Sequence, residues 1–100
     1  MGNEIVERYC RATGKTVTDV INGKKDKASV FVRNSLMYLT WKEREHQICR
    51  EFKKKQLLIQ IGREFGIGRV NCYEQLDRFA ANLEVYQDWQ QRFAEIERLI

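Results

Sequence analysis

One hundred residues, 43% of them hydrophobic and none of them proline, suit a single domain with one modest core and exclude a composite enzyme. Lys, Arg, Glu and Gln are frequent, so the chain is rich in helix formers and the expected fold class is all-α, a compact bundle of about six helices. A formal charge of +4 and an isoelectric point of about 9.1 suit a polyanionic partner without requiring one.

Cys10, Cys49 and Cys72 have no paired spacing, which points to a reducing compartment rather than a disulfide framework. The start, MGNEIVERYC, has no apolar stretch of signal-peptide length, and no run approaches the roughly eighteen apolar residues of a membrane span. A cytoplasmic location without a membrane partner is expected. Met1-Gly2-Asn3 is not read as a myristoylation start, because the sixth residue is Val6 where Ser or Thr belongs.

In chain order, Asn3 caps a first helix whose stripe is Ile5, Val6 and Tyr9, and Gly14 stops it. Thr16 caps a short second helix with Val17, Val20 and Ile21 facing inward, closed by Asn22-Gly23. A basic loop, Lys24 to Lys27, follows. From Ala28 the spacing Ala28, Val32, Ser35 or Leu36, and Leu39 is helical, and its length decides against a strand. Thr40 with Glu43 makes a capping-box pattern, so a new amphipathic segment is expected there, carried by Trp41, Glu45, Ile48 and Phe52.

The heptad QICREFK, beginning at Gln47, is echoed thirteen residues later by QIGREFG, beginning at Gln60. Thirteen residues turn a helix roughly 140° away from its starting face, so the copies cannot share one stripe on an unbroken helix. A break is expected at Lys53-Lys54-Lys55-Gln56, where three cations suit the negative end of a helix dipole. The following helix buries Leu58, Ile61 and Phe65. The echo is too short for a solenoid unit and reflects shared amphipathic patterning. Beyond FGIGR the helical period resumes through Tyr73, Leu76, Ala80 and Leu83, then through Tyr86, Trp89, Phe93, Ile96 and Ile100. A break near Tyr86 to Asp88 is expected, with Asp88 and Gln91 as the new capping box.

Little in the sequence points to catalysis, a metal or a cofactor. TGKT resembles the end of a phosphate-binding loop, yet Tyr9 stands where that loop needs glycine. His46 and Cys49 are three apart on a helix, but two further ligands are missing, and no nucleophile is patterned around the histidine. The informative stretch is LLIQIGREFGIGRVNCYEQLDRF: a short amphipathic helix, a turn with Gly66 and Gly68, and a second helix opening with Arg69 and Asn71. This is a helix-turn-helix pattern. Basic clusters at Lys24 to Lys27, at Lys53 to Lys55, and at Arg63 with Arg69 suit phosphate contacts through counterion release.

Taken together, these segments resemble the C-terminal DNA-binding domain of the bacterial replication initiator DnaA, a Trp-repressor-like helical domain. The resemblance runs from TVTDVINGKKDKASVFVRNSLMYL, with an arginine four residues before MYL, to IGREFG and the helix pair that follows. It implies a basic loop in the minor groove, with Lys25 inserted and Lys24 and Lys27 nearby, Arg33 on a phosphate, and the second helix of the motif in the major groove. The family's Asp-His-Ser/Thr-Thr, which reads bases, falls here on Arg69, Val70, Asn71 and Cys72. The initiator's own target box is therefore not implied. Extra residues between MYL and IGREFG contain the first copy of the echo. No ATPase segment accompanies the module, so it is read as a stand-alone double-stranded DNA-binding domain, regulatory or accessory to a mobile element.

Arg69 and Asn71 are the expected base readers, since Arg pairs with guanine and Asn with adenine. Lys24, Lys25, Lys27, Arg33 and Arg63 are the expected backbone contacts. The alternative is a small helical protein-interaction module that has lost DNA recognition, using the stripe Tyr86, Trp89, Phe93 on a partner or a second copy. Helical spacing favours core for that stripe.

Overall fold

A computed structural model describes residues 3–22, 26–45 and 54–100 in full, and the backbone of 51–53. Gly23, Lys24, Lys25, His46, Ile48 and Cys49 lie outside the described residues, so the expectations placed on them find no counterpart here. Among the described residues there are six helices and no strand: α1 (Glu4–Thr13), α2 (Val17–Asn22), α3 (Lys27–Glu45), α4 (Glu51–Glu64), α5 (Arg69–Val85) and α6 (Gln87–Arg98). The fold class is all-α, as composition implied.

The helix ends follow local chemistry at several places. The Asn3 side-chain oxygen accepts from the N–H groups of Ile5 at 2.9 Å and Val6 at 3.2 Å. Gly14 closes α1 at φ +75°, donating its N–H to the Cys10 carbonyl at 2.8 Å; a left-handed residue at this position is easiest for glycine. At α2, Thr16 Oγ1 accepts from the Asp19 N–H at 3.1 Å, and Asp19 Oδ2 accepts from the Thr16 N–H at 3.4 Å, a reciprocal capping box. Val20 is buried and Ile21 half-buried, but Val17 is 45% exposed. The expectation that it faces inward fails because so short a helix has only one side on the core.

Two expected breaks are absent. Helix α3 runs through Thr40 without interruption. Thr40 Oγ1 donates to the Leu36 carbonyl at 2.8 Å and accepts from Asn3 Nδ2 at 3.1 Å, so the hydroxyl serves the middle of a helix and a tertiary partner instead of a cap. Helix α4 likewise passes through residues 53–56. Lysine and glutamine are good helix formers, and burial of Leu57, Leu58 and Ile61 outweighs the few tenths of a kcal/mol by which cations disfavour a helix amino end. The break at Tyr86 is where it was expected: this residue ends α5 and precedes α6. Its device differs from the expected box, because no side chain caps α6 and Gln90 Nε2 donates back to the Leu83 carbonyl at 2.6 Å.

One hydrophobic cluster holds the helices together, with Val6, Leu36, Met37, Ile61, Phe65, Cys72 and Phe79 almost wholly buried. Phe79 is its aromatic hub. Ring centroids of Tyr38, Phe31, Trp89 and Phe93 lie 5.4, 5.5, 5.6 and 5.6 Å from it, each pair contributing about 0.5 to 1.5 kcal/mol beyond its area. Trp89 and Phe93 are thus spent on closing α6 over α3 and α5, and the Arg92 guanidinium covers the Phe31 ring at 4.6 Å. Only Tyr86 of that stripe is largely exposed. The radius of gyration is 13.1 Å, close to the value of about 13 Å for a compact chain of this length. Among the described residues no helix is long and apolar enough to cross a membrane.

A polar network links three helix ends. Glu64, the last residue of α4, accepts from Arg44 Nη2 at 2.9 Å and from Arg44 Nη1 through its other oxygen. The same carboxylate accepts from Asn3 Nδ2 at 3.0 Å. Asn3 is 5% exposed and Thr40 1%, so the groups are satisfied by one another rather than by water. The hydrogen bond to Glu64 raises the Arg44 pKa above its ordinary value, against the opposing effect of partial burial.

Asn3→Ala removes a helix cap and leaves Thr40 and Glu64 each one donor short. A loss of about 2 kcal/mol is expected, read as a lower urea midpoint at unchanged slope. A second expectation concerns Cys72, whose thiol burial pushes from 9.0 up to about 11. Below pH 9 the thiol is protonated in both states and its contribution is constant. Between pH 9 and about 11 the unfolded thiol ionises before the folded one, so stability falls, by about 2 to 3 kcal/mol for such a shift. Denaturation midpoints of Cys72→Ala should fall less over that window than those of the wild type.

Candidate functional site

The corner between α4 and α5 is built by glycine. Gly66 adopts φ +71°, its N–H reaches the Arg63 carbonyl at 3.3 Å, and the Ile67 N–H reaches the Gly62 carbonyl at 2.8 Å. These two bonds make a Schellman closure of α4. A Cβ on Gly62 would meet the Ile67 carbonyl oxygen at 2.6 Å, a backbone atom that cannot step aside, whereas a Cβ on Gly68 would meet nothing within 4 Å. Ile61 and Phe65, both nearly fully buried, hold the incoming helix to the core, and Cys72, Leu76 and Phe79 hold the outgoing one.

The corner aims the amino end of α5 outward. Arg69, Val70 and Asn71 are all exposed, and no side chain caps the helix at Gly68. First-turn N–H groups and the positive end of the helix dipole are therefore left for an external acceptor. Arg69 and Asn71 stand roughly 160° apart around the helix axis, so they flank its outer face rather than share a side. Between and beyond them that face carries Val70, Tyr73, Glu74, Asp77 and Arg78, all exposed. Its charges nearly cancel, so the field of α5 itself draws in no polyanion, and recognition there depends on the geometry of the first turn.

On the Asn71 flank, Gln75, one turn further along, accepts from Asn34 Nδ2 at 3.1 Å. Arg33 reaches the Asn34 side-chain oxygen through two long contacts of 3.4 Å, which leaves its guanidinium only loosely engaged. The end of α2 touches the corner: a Cβ on Gly66 would lie 3.4 Å from Asn22 Oδ1 and 3.9 Å from Ile21 Cγ2. Asn22 is the last described residue before the basic loop, and exposed Lys27 opens α3 on its far side. Arg63 is exposed on α4.

On the Arg69 flank the sequence reading missed a feature. A groove of about 530 Å³ runs between the end of α3, the first turns of α4 and the outer side of α5. Lys54 and Lys55 line it with Arg69, Glu45 and Asp77, over a floor that includes Trp41 and Leu58. The basic cluster assigned to a helix end thus sits across α5 from Asn71. Tyr73, which the helical period placed on the apolar stripe with Leu76, is instead 58% exposed, because it stands at the edge of the side of α5 that meets the core; Val70 beside it is 61% exposed. Among the described residues no group of three His, Cys, Asp or Glu side chains could hold a metal ion.

No family model, no curated protein and no solved structure matches the chain.

The corner makes an ordered prediction for glycine replacement. Gly62→Ala should cost most, about 2 kcal/mol or more, because backbone must move. Gly66→Ala should cost about 1 kcal/mol from its positive φ alone, and Gly68→Ala a few tenths at most. Thermal denaturation of the three variants in one buffer checks the order.

Proposed function

We propose that this chain binds double-stranded DNA, with the amino end of α5 in the major groove and the Lys24 to Lys27 loop on the adjacent minor groove. The observation that supports the proposal is the closeness of Asn22 to Gly66, where an added Cβ would lie 3.4 Å from Asn22 Oδ1: the end of α2, the last described residue before the Lys24 to Lys27 loop, lies beside the turn that aims α5. In the sequence those two features are some forty positions apart, and neither alone separates a DNA reader from an ordinary helical domain. A basic loop paired with a helix-turn-helix is what the resemblance to the initiator's DNA-binding domain implies, and a Trp-repressor-like architecture is proposed on the same ground.

Arg69 and Asn71 then meet base edges, the first suited to guanine and the second to adenine. Lys24, Lys25, Lys27, Arg33 and Arg63 contact phosphates, fixing register without reading sequence. Arg33 is held lightly enough by Asn34 to exchange that contact for a phosphate oxygen. Because Arg69 and Val70 stand where the initiator has its acidic and histidine base readers, the target is a different sequence. Occupying a duplex site requires no catalysis from the chain, and the role proposed is regulatory or accessory to a mobile element.

Selection of a preferred duplex from a random pool, followed by mobility-shift titration, tests the proposal. Arg69→Ala and Asn71→Ala should each weaken the selected duplex by about 1 to 3 kcal/mol and relax preference at one base pair. Replacing Lys24 and Lys25 together by Ala should weaken all duplexes alike and reduce the log–log salt slope by nearly 2. Unchanged affinity and slope in the double variant would remove the basic loop from the interface.

A further inference from the structure

Apart from Arg69, which stands at its edge, the groove on the Arg69 flank is not used by the proposed duplex contacts, and its chemistry differs from theirs. A phosphate backbone asks for cations and polar donors, yet this groove has an aromatic and aliphatic floor. Trp41 and Leu58 lie in it, and Val70 and Tyr73, two of the most exposed large apolar side chains among the described residues, form its lip. An apolar patch rimmed by charge is the usual mark of a protein-binding surface, and Trp and Tyr are the residues that such surfaces favour.

The rim names the partner's charge. Lys54, Lys55 and Arg69 make no ion pair or hydrogen bond among the described residues, while Lys42 leans over Tyr38 at 5.5 Å and lies 3.9 Å from Glu45. With Glu45 and Asp77 also in the lining, four cations against two carboxylates leave the groove net positive. The trough, at about 530 Å³, is in the range of pockets that take a small ligand or a few side chains, too small to swallow a folded element. We infer that it docks an acidic peptide segment of a partner protein, one or two aromatic or aliphatic anchors entering between Trp41 and Tyr73 while flanking carboxylates meet Lys54, Lys55 and Arg69. This inference goes beyond DNA binding and does not require it.

The test is a selection of displayed random peptides on the immobilised full chain in the absence of nucleic acid. Enriched clones should carry Asp and Glu around a Trp, Phe or Leu anchor. A selected peptide, synthesised with a fluorophore, should lose at least tenfold in affinity on Tyr73→Ser and on the double variant Lys54→Glu, Lys55→Glu, and keep its affinity on Arg98→Glu, a charge reversal on α6. Circular dichroism and melting establish that the variants are folded, as expected for exposed positions. Failure to enrich any clone, enrichment of neutral or basic clones, or undiminished binding to both groove variants would overturn the inference. If no clone enriches and the Lys54, Lys55 reversal abolishes duplex binding instead, the groove belongs to DNA and the peptide is excluded. Failure of the DNA proposal, by contrast, would show as absence of a mobility shift with peptide binding intact.

Discussion

A carboxylate at the carboxyl end of a helix faces the wrong end of the helix dipole, and Glu64 occupies such a place at the end of α4. Arg44 makes the position tenable with a two-pronged contact, and Asn3 adds a third donor. Because Asn3 also caps α1 and bonds Thr40, this one side chain ties the start of α1, the second half of α3 and the end of α4 together. The glycine corner begins immediately after Glu64. Its direction, and with it the direction of α5, is set by a buried polar network as much as by the apolar core.

Glycine then converts that anchoring into an orientation. Gly62 admits the Ile67 carbonyl against its own helix, and Gly66 takes the positive φ that reverses the chain. The result is a helix whose inner side is locked by Cys72, Leu76 and Phe79 and whose first turn projects Arg69, Val70 and Asn71. Rigid placement matters more here than charge, because the outer side of α5 carries Glu74 and Asp77 as well as Arg69 and Arg78. The outer side of α5 is thus nearly neutral, and the end of α2 lies close to the corner that precedes it.

The cations divide into two groups around α5. Arg33, through Asn34 and Gln75, accompanies the flank of Asn71, while Lys54 and Lys55 lie with Arg69 over an apolar trough. Net charge alone would have pooled them into one polyanion-binding surface. Their surroundings differ, since only the second group borders an apolar floor.

Local chemistry was legible in the amino-acid sequence wherever a few neighbouring residues determine the outcome. Asn3 and Gly14 bound α1, Thr16 caps α2, Gly66 turns the chain, and Tyr86 separates the last two helices, because caps and positive-φ positions depend on side chains within one helical turn. The buried stripe Leu58, Ile61, Phe65 followed from helical period for the same reason. Thr40 and the lysines before Leu57 misled, since each local signal was overridden by a distant partner: Asn3 claimed the threonine hydroxyl, and the core claimed the helix that carries the lysines. Which face Arg69 shares with Lys54 and Lys55, that Val17 is left outside, and that Asn22 meets Gly66 were decided only by tertiary structure, because they depend on how helices far apart in the chain pack against one another.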